Sequence, residues 1–221
     1  MKSGQTAFIK STLSGYLSRK WLADDHIDQM VYLLEKEVTD TFPSRNIKFI
    51  DTILGRKILQ AFDDDQIGKS SYEPNGTTFL HRFGQGLSQS SELGGIFHVH
   101  GNHWVAVAID IAREDLAYGD PAGGSPEPRL IAALRWFSSQ HIPSLPIDRL
   151  DLESMPCPGQ DILEDSWSCG IFSLNALAHY FLQGRRPLLQ NTGAIMVGDL
   201  ARLDMLRRLL NSFNLMVHFS Y

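Results

Sequence analysis

Cys169 stands at the start of a long apolar segment and is the residue best placed to act as a nucleophile. Residues 170–182 (GIFSLNALAHYFL) are apolar on nearly every side, which predicts a helix buried in the core. A cysteine in the first turn of such a helix faces unpaired backbone N–H groups and the positive end of the helix dipole. Both favour the thiolate, which is the reactive form of cysteine. The alternative is a small core residue, with Ser166 or Ser168 as the helix cap.

A cysteine nucleophile needs a base within hydrogen-bond reach and a third group that orients the base. Of the eight histidines, His103 opens the strongest strand candidate, residues 104–111 (WVAVAIDI). Asp120 ends the next predicted strand, 116–119, after a short polar turn, so neighbouring strands would bring His103 and Asp120 side by side. Taken singly, each is more often an ordinary strand-end or turn residue. The three positions together predict a catalytic Cys–His–Asp triad.

Three other residues compete with these assignments. His98 and His100 are spaced to share one face of a strand predicted over 95–100, either as an alternative base or as a polar edge. Cys157 lies between two prolines with no helix start after it, which favours a packed thiol over a nucleophile.

The remaining patterns predict an α+β layout, with helices, then a small mixed or antiparallel sheet, then helices. Apolar periodicity predicts helices over 25–39, part of 50–62, 127–140 and 199–212, and a further strand over 147–152. Residues 68–78 are expected to form an exposed loop. The last helix is expected to carry a basic outer face at Arg202, Arg207 and Arg208. Because no repeat or long linker interrupts the chain, residues 1–221 are interpreted as one catalytic domain.

Length and composition narrow the class of protein. The chain has 221 residues, of which 43% are hydrophobic and 20% charged, as in an ordinary globular domain. A net charge of -5 provides no basic surface for nucleic acid, and no apolar run approaches the ~20 residues of a membrane span. Two cysteines predict an intracellular thiol protein, of nucleus or cytoplasm, over a disulfide scaffold. No metal-binding or cofactor-binding motif occurs, so neither a metal ion nor a cofactor is expected.

The chain order His, Asp, Cys differs from that of papain-like enzymes, which runs Cys, His, Asn. At this point the sequence resembles the cysteine proteases specific for ubiquitin-like proteins, including the sentrin-specific proteases and adenovirus protease. That family has an early Trp-Leu-x-Asp, a His-Trp pair that begins a strand, an Asp after the next strand, and Ser- or Asp-Cys-Gly at the start of a central helix. The matching residues are Trp21-Leu22-Ala23-Asp24, His103-Trp104, Asp120 and Ser168-Cys169-Gly170.

This resemblance implies a papain-like architecture, with the nucleophile on a central helix packed against a small mixed sheet. It implies a cysteine-type peptidase or isopeptidase that cleaves after the C-terminal Gly-Gly of a ubiquitin-like modifier. The expected partners are a SUMO-like or NEDD8-like modifier, or ubiquitin, and its conjugates. Trp21 and Trp104 would close over the Gly-Gly tail, with core packing as the alternative for each. Asp24 or Asp25 would pair with an arginine of the modifier, or simply form an acidic helix N-terminus.

The sequence departs from the family pattern at two places. Pro121-Ala122 follows Asp120, where the family usually has Ser-Leu. Leu163 stands six residues before the cysteine, where the family has a Gln that supports the oxyanion. Gln160 is the candidate replacement through its amide N–H₂, and the alternative for it is an exposed loop residue. Because this Gln is displaced from the family's position, the hypothesis of a degenerate module that binds a modifier without cleaving it stays open. The same fold also includes acyltransferases that use the same triad.

Overall fold

The computed structural model describes residues 13–90, 92–142, 150–161, 163–190 and 196–212. In chain order the elements are α1 (Asp24–Thr41), β1 (Ile47–Ile50), α2 (Thr52–Gln66), α3 (Phe79–Gln85), a 3-10 turn (Gly86–Gln89), β2 (Glu92–Val99), β3 (His103–Asp110), β4 (Asp115–Gly119), α4 (Pro128–His141), β5 (Asp151–Ser154), α5 (Cys169–Phe181) and α6 (Met196–Ser212). None of the helices in these ranges is long and apolar enough to cross a membrane.

The strands of the described ranges form one mixed sheet in the order β1-β2-β3-β4-β5. The central strands β2, β3 and β4 run antiparallel, whereas the outer strands β1 and β5 run parallel to their neighbours. Helices α1, α5 and α6 pack on one face of the sheet and helices α2, α3 and α4 on the other. Each face of the sheet has its own apolar core. The predicted α+β layout is therefore confirmed.

Strand β3 determines how α5, the helix that begins at Cys169, docks on the sheet. Its side chains alternate between the two cores, with Trp104, Ala106 and Ala108 facing α5, and Val105, Val107 and Ile109 facing the other helices. Because β3 is buried on both faces, its sequence is almost continuously apolar. The alanines let α5 approach closely, and Ser173 of α5 donates a hydrogen bond to the Trp104 carbonyl at 2.9 Å.

Most predicted elements are present with ends shifted by a few residues. The helix predicted within 50–62 is longer, since α2 runs to Gln66 after Asp51 caps it by accepting the Leu54 N–H at 2.6 Å. Of the strand predicted over 147–152, residues 147–149 lie outside the described ranges, and only 151–152 belong to β5. The sequence analysis missed β1 and α3, which have four and seven residues and are too short to show a clear period.

The prediction that Arg202 lies on a basic outer face is wrong. Only 1% of Arg202 is exposed. Arg202, Met205 and Leu209 are spaced i, i+3 and i+7, so the arginine lies on the buried face of α6 with the two apolar side chains. Arg207 is exposed as predicted, and Arg208 forms a partly buried ion pair with Glu37.

Candidate active site

Cys169 is the first residue of α5, and its side chain is 1% exposed. Among the described residues, no side chain at the Ser168 cap accepts a hydrogen bond from the first turn of this helix. The backbone N–H groups at the helix start can therefore donate to a bound group. The preceding loop is held instead by Asp165, whose carboxylate accepts the N–H of Trp167 at 3.3 Å and of Ser168 at 3.0 Å. Gly170 lets the helix pack closely, because a Cβ there would lie 2.9 Å from Ile27.

His103 and Asp120 meet at one end of the sheet. The antiparallel register pairs Ala106 of β3 with Gly119 of β4, so the start of β3 lies beside the residue that follows β4. His103 Nε2 is 2.6 Å from Asp120 Oδ1. The same carboxylate oxygen accepts the N–H of Ala122 at 2.7 Å, which fixes its orientation after the strand ends.

The two charges of this pair stabilise each other. Burial opposes the charged form of His103, but hydrogen bonds to Asp120 and Cys169 outweigh it and raise the histidine pKa to about 9. Burial also opposes the Asp120 carboxylate, but the hydrogen bonds that it accepts from His103, Ala122 and Gly124 lower its pKa. At neutral pH the imidazole beside Cys169 therefore carries a proton, and this cation is the natural partner of a thiolate.

The competing histidines are placed differently. His98 is largely exposed on β2 and rests against the Trp104 ring with centroids 4.6 Å apart, and this partial burial of its ring lowers its pKa. His100 lies in the β2–β3 turn with a positive φ of 54°. Among the side-chain hydrogen bonds and ion pairs of the described residues, His103 is the histidine that reaches Asp120.

Cys157 lies behind Asp120, half-buried near Gly119. Burial is the main cause that raises the pKa of its thiol to about 12, and the negative charge of Asp120 adds to it. Such a thiol stays protonated at neutral pH and is a poor nucleophile. The environment of Cys157 thus agrees with the interpretation of a packed cysteine.

Gln160 folds back onto the loop that precedes Cys169. Its backbone N–H donates to the Pro121 carbonyl at 2.6 Å, and its side-chain N–H₂ donates to the Asp165 carbonyl. Gln160 therefore links the segment after Asp120 to the segment before Cys169. Leu163, which occupies the family's usual Gln position, is 97% exposed.

The two tryptophans have contrasting environments. Trp21 is 50% exposed, and its Nε1 donates to the carbonyl of Ser166. Trp104 is 4% exposed, and its Nε1 donates to the carbonyl of Leu22 at 3.0 Å. Trp104 therefore belongs to the core, whereas Trp21 presents a surface beside the loop of residues 165–168 that precedes Cys169.

The acidic residues at the start of α1 already have partners within the chain. Asp24 forms an ion pair with Arg56 at 2.6 Å, and its side chain remains accessible to solvent. Asp25 accepts the backbone N–H of His26 at 3.0 Å. An arginine of a modifier would have to share or displace the Asp24–Arg56 pair.

Asp165 and Arg202 were missed as members of the site. The Asp165 carboxylate closes the turn before α5, and Arg202 donates to the carbonyl of Trp167 at 2.6 Å. A signal for Asp165 exists, because an Asp shortly before a predicted helix start, here four residues before Cys169, is a common turn former. The described residues contain no group of three or more His, Cys, Asp or Glu side chains that could hold a metal ion.

Comparisons with known proteins identify the family and the fold of the chain. The model of the Ulp1 protease family, C-terminal catalytic domain, matches residues 20–206. No curated protein matches the sequence. The fold is similar to that of the SUMO protease Ulp1 with its catalytic cysteine oxidised to a sulfenic acid (TM-score 0.63, 14% identity, 91% of this chain and 83% of that chain).

Two further structures share the fold. One is the C-terminal Ulp1 protease domain in complex with Smt3, the yeast ortholog of SUMO (TM-score 0.59, 16% identity, 90% of this chain and 83% of that chain). The other is the Ulp1-like SUMO protease catalytic domain of Chaetomium thermophilum (TM-score 0.62, 16% identity, 86% of this chain and 72% of that chain). The predicted papain-like cysteine protease fold is thereby confirmed.

Proposed function

The chain belongs to the Ulp1 protease family and is a cysteine peptidase, and from this premise we propose that it hydrolyses the bond after the C-terminal Gly-Gly of a ubiquitin-like modifier. In this proposal Cys169 is the nucleophile, His103 is the general base and acid, and Asp120 orients the imidazole. The observation that carries it is the 2.6 Å contact between His103 and Asp120 beside the first turn of α5, where Cys169 lies.

The proposed reaction uses the proton that His103 carries at neutral pH. The Cys169 thiolate attacks the carbonyl carbon of the terminal glycine, and the C–N bond breaks as the leaving amine takes the proton from His103. The product is a thioester between Cys169 and the modifier. His103, now neutral, accepts a proton from the attacking water, and the thioester C–S bond breaks to release the modifier carboxylate and the thiolate.

Two donors are proposed to bind the oxyanion that forms in each step. One is the backbone N–H of Cys169, which lies in the first turn of α5 and has no partner within the helix. The other is the side-chain amide of Gln160, which already lies against the loop that ends at Cys169. Fixed donors of this kind stabilise the transition state more than the substrate.

The burial of the nucleophile supports a glycine-terminated substrate. Because only 1% of Cys169 is exposed, the scissile carbonyl must come close to a side chain that lies below the surface. A backbone without Cβ atoms enters such a narrow space more easily than one with side chains. The exposed Trp21, anchored to the carbonyl of Ser166, is proposed to cover this backbone from outside.

A SUMO-like modifier is the first candidate for the substrate, with NEDD8-like modifiers and ubiquitin as the others. The support for it is the likeness to a Ulp1 domain in complex with Smt3. Asp24 at the start of α1 is the proposed contact for a modifier arginine, through exchange with Arg56.

A panel of modifiers carrying a C-terminal electrophile tests the proposal. SUMO-like, NEDD8-like and ubiquitin probes are incubated with the protein and with its Cys169→Ala variant, and mass spectrometry locates the adduct. We expect a covalent adduct at Cys169 with at least one probe, and none with the variant. Binding without an adduct would support the degenerate module, and transfer of an acyl group from acyl-coenzyme A would support the transferase.

A further inference from the structure

Arg202 is the most deeply buried charged side chain in the described part of the chain. It is 1% exposed, whereas the buried carboxylates Asp165 and Glu92 are 6% and 8% exposed. None of the ion pairs among the described residues includes Arg202. A buried charge without an ion pair is costly, so its position calls for a physical reason.

The guanidinium of Arg202 bridges two segments that flank the site. Nη1 donates to the carbonyls of Ser18 at 2.6 Å and Gly15 at 3.3 Å. Nη2 donates to the carbonyl of Lys20 at 2.7 Å and to that of Trp167 at 2.6 Å. Trp167 is two residues before Cys169, and Lys20 directly precedes Trp21. One side chain therefore fixes both the nucleophile loop and the segment that carries the exposed tryptophan.

The electrostatic partners of Arg202 include the nucleophile. Burial lowers the pKa of the guanidinium, while the charges of Asp165, Asp199 and Cys169 raise it. Asp165 and Asp199 already have other partners, since Asp165 holds the turn before α5 and Asp199 pairs with Arg19 at 2.8 Å. Burial also raises the pKa of the neighbouring Tyr16, which stays neutral and donates to the His26 carbonyl.

We propose that Arg202 is a positioning residue for the nucleophile, which anchors the Trp167 carbonyl and places a permanent positive charge behind the Cys169 thiolate. His103 and Asp120 then lie on the sheet side of Cys169 and Arg202 on the α6 side, while Asp165 holds the turn before Cys169. The proposal rests on Cys169 being the nucleophile of the proposed function. An arginine suits this role because its guanidinium stays charged even when buried and donates in several directions at once.

The test uses the reactivity of Cys169 toward iodoacetamide, which needs no modifier substrate. In a Cys157→Ala background, the alkylation rate at Cys169 is measured by mass spectrometry from pH 5 to pH 10 for the unaltered Arg202, Arg202→Lys and Arg202→Gln. Arg202→Gln removes the charge and should move the acid limb of the pH–rate profile, where the alkylation rate falls with falling pH, to higher pH. A shift of one pH unit corresponds to a factor of ten, so the rate at pH 6 should fall about tenfold. Arg202→Lys keeps a charge and should retain most of the rate.

Arg45→Met is the matched control. Arg45 is a partly buried arginine that, like Arg202, donates to a main-chain carbonyl, that of Phe181. It also pairs with Glu92, and it lies at the opposite end of α5. We expect this variant to melt at a lower temperature with an unchanged pH profile of alkylation. A folded Arg202→Gln variant with the unaltered profile overturns the proposal, as does a shift of equal size in Arg202→Lys.

A second measurement needs no change at Arg202, in case Arg202→Gln does not fold. In the His103→Ala variant the imidazolium is absent, so Arg202 and the helix N-terminus are the remaining positive groups beside the thiol. We expect the rate of alkylation to fall off at lower pH in the folded variant than in the same variant unfolded in guanidinium chloride. A fall-off at the same or higher pH in the folded variant overturns the proposal. The proposed function is tested separately by the modifier probes. Failure of the probes to label Cys169 would count against the proposed function, whereas the alkylation rates test the role of Arg202.

Discussion

Nε2 of His103 lies 2.6 Å from Oδ1 of Asp120, although the two residues are 17 positions apart in the chain. The contact exists because the β3–β4 hairpin returns the chain to the end of the sheet at which β3 begins. Cys169 reaches the same end from α5, which docks on the alanine side of β3. The proposed triad therefore depends on how one helix and one hairpin meet.

Cys169→Ala should abolish cleavage of a modifier substrate, because no other thiol is placed to form the thioester. Cys157→Ala should leave the rate nearly unchanged, since its thiol, with a pKa of about 12, is protonated at neutral pH. Turnover of a fluorogenic modifier substrate measures both. Inactivation by a thiol reagent that labels Cys157 alone would contradict this assignment.

His103→Ala should lower kcat/KM by about 10²–10⁴-fold, the usual contribution of a general acid or base. The matched control is His98→Ala, which removes an exposed histidine only one strand away. It should change the rate by much less, and circular dichroism of both variants should show an intact fold. Equal losses in the two variants would mean that the wrong histidine has been assigned.

Activity should decline as the pH rises through about 9, because His103 then loses the proton that it gives to the leaving amine. The same group stabilises the fold fully below its unfolded-state pKa of 6.5, and that contribution is lost as the pH rises through about 9. Asp120→Asn removes the negative charge that raises this pKa. The alkaline limb of kcat/KM in Asp120→Asn should therefore move to lower pH, and an unchanged limb would argue against the ion pair.

Gln160→Ala should lower kcat by about 10²-fold with little change in KM, if its amide binds the oxyanion. Leu163→Ala serves as the control from the same loop, because the Leu163 side chain is almost fully exposed. It should leave kcat unchanged. A loss in Gln160→Ala that appears only in the melting temperature would mean that Gln160 merely links the two loops through Pro121 and Asp165.

The two tryptophans should separate folding from substrate binding. Trp104→Ala should destabilise the fold by about 3–5 kcal/mol, because the indole is buried in the core. Trp21→Ala should leave the melting temperature nearly unchanged and slow cleavage of Gly-Gly-linked substrates by up to about 10²-fold through poorer positioning. The unaltered protein should reject substrates with Ala in place of either terminal Gly. Normal cleavage of an Ala-Ala tail would defeat the proposal of a narrow channel.

Local patterns in the sequence were sufficient to predict the helix and the strands that carry the proposed triad. The apolar run after Cys169 indicates a buried helix, and the run after His103 indicates a strand that is covered on both faces, as β3 is. Such patterns record burial along a single element, which is why the element types and the ends at which the candidate residues lie could be predicted.

Only the tertiary structure decided which of these residues meet. The register between β3 and β4 selects His103 over His98 as the partner of Asp120, and the docking of α5 and the segment before α1 buries Trp104 while Trp21 stays exposed. The burial of Arg202 and the return of Gln160 to the Asp165 carbonyl also depend on segments distant in sequence. Periodicity reports which side of an element is covered, but the partner that covers it is set by long-range packing, to which local sequence patterns are blind.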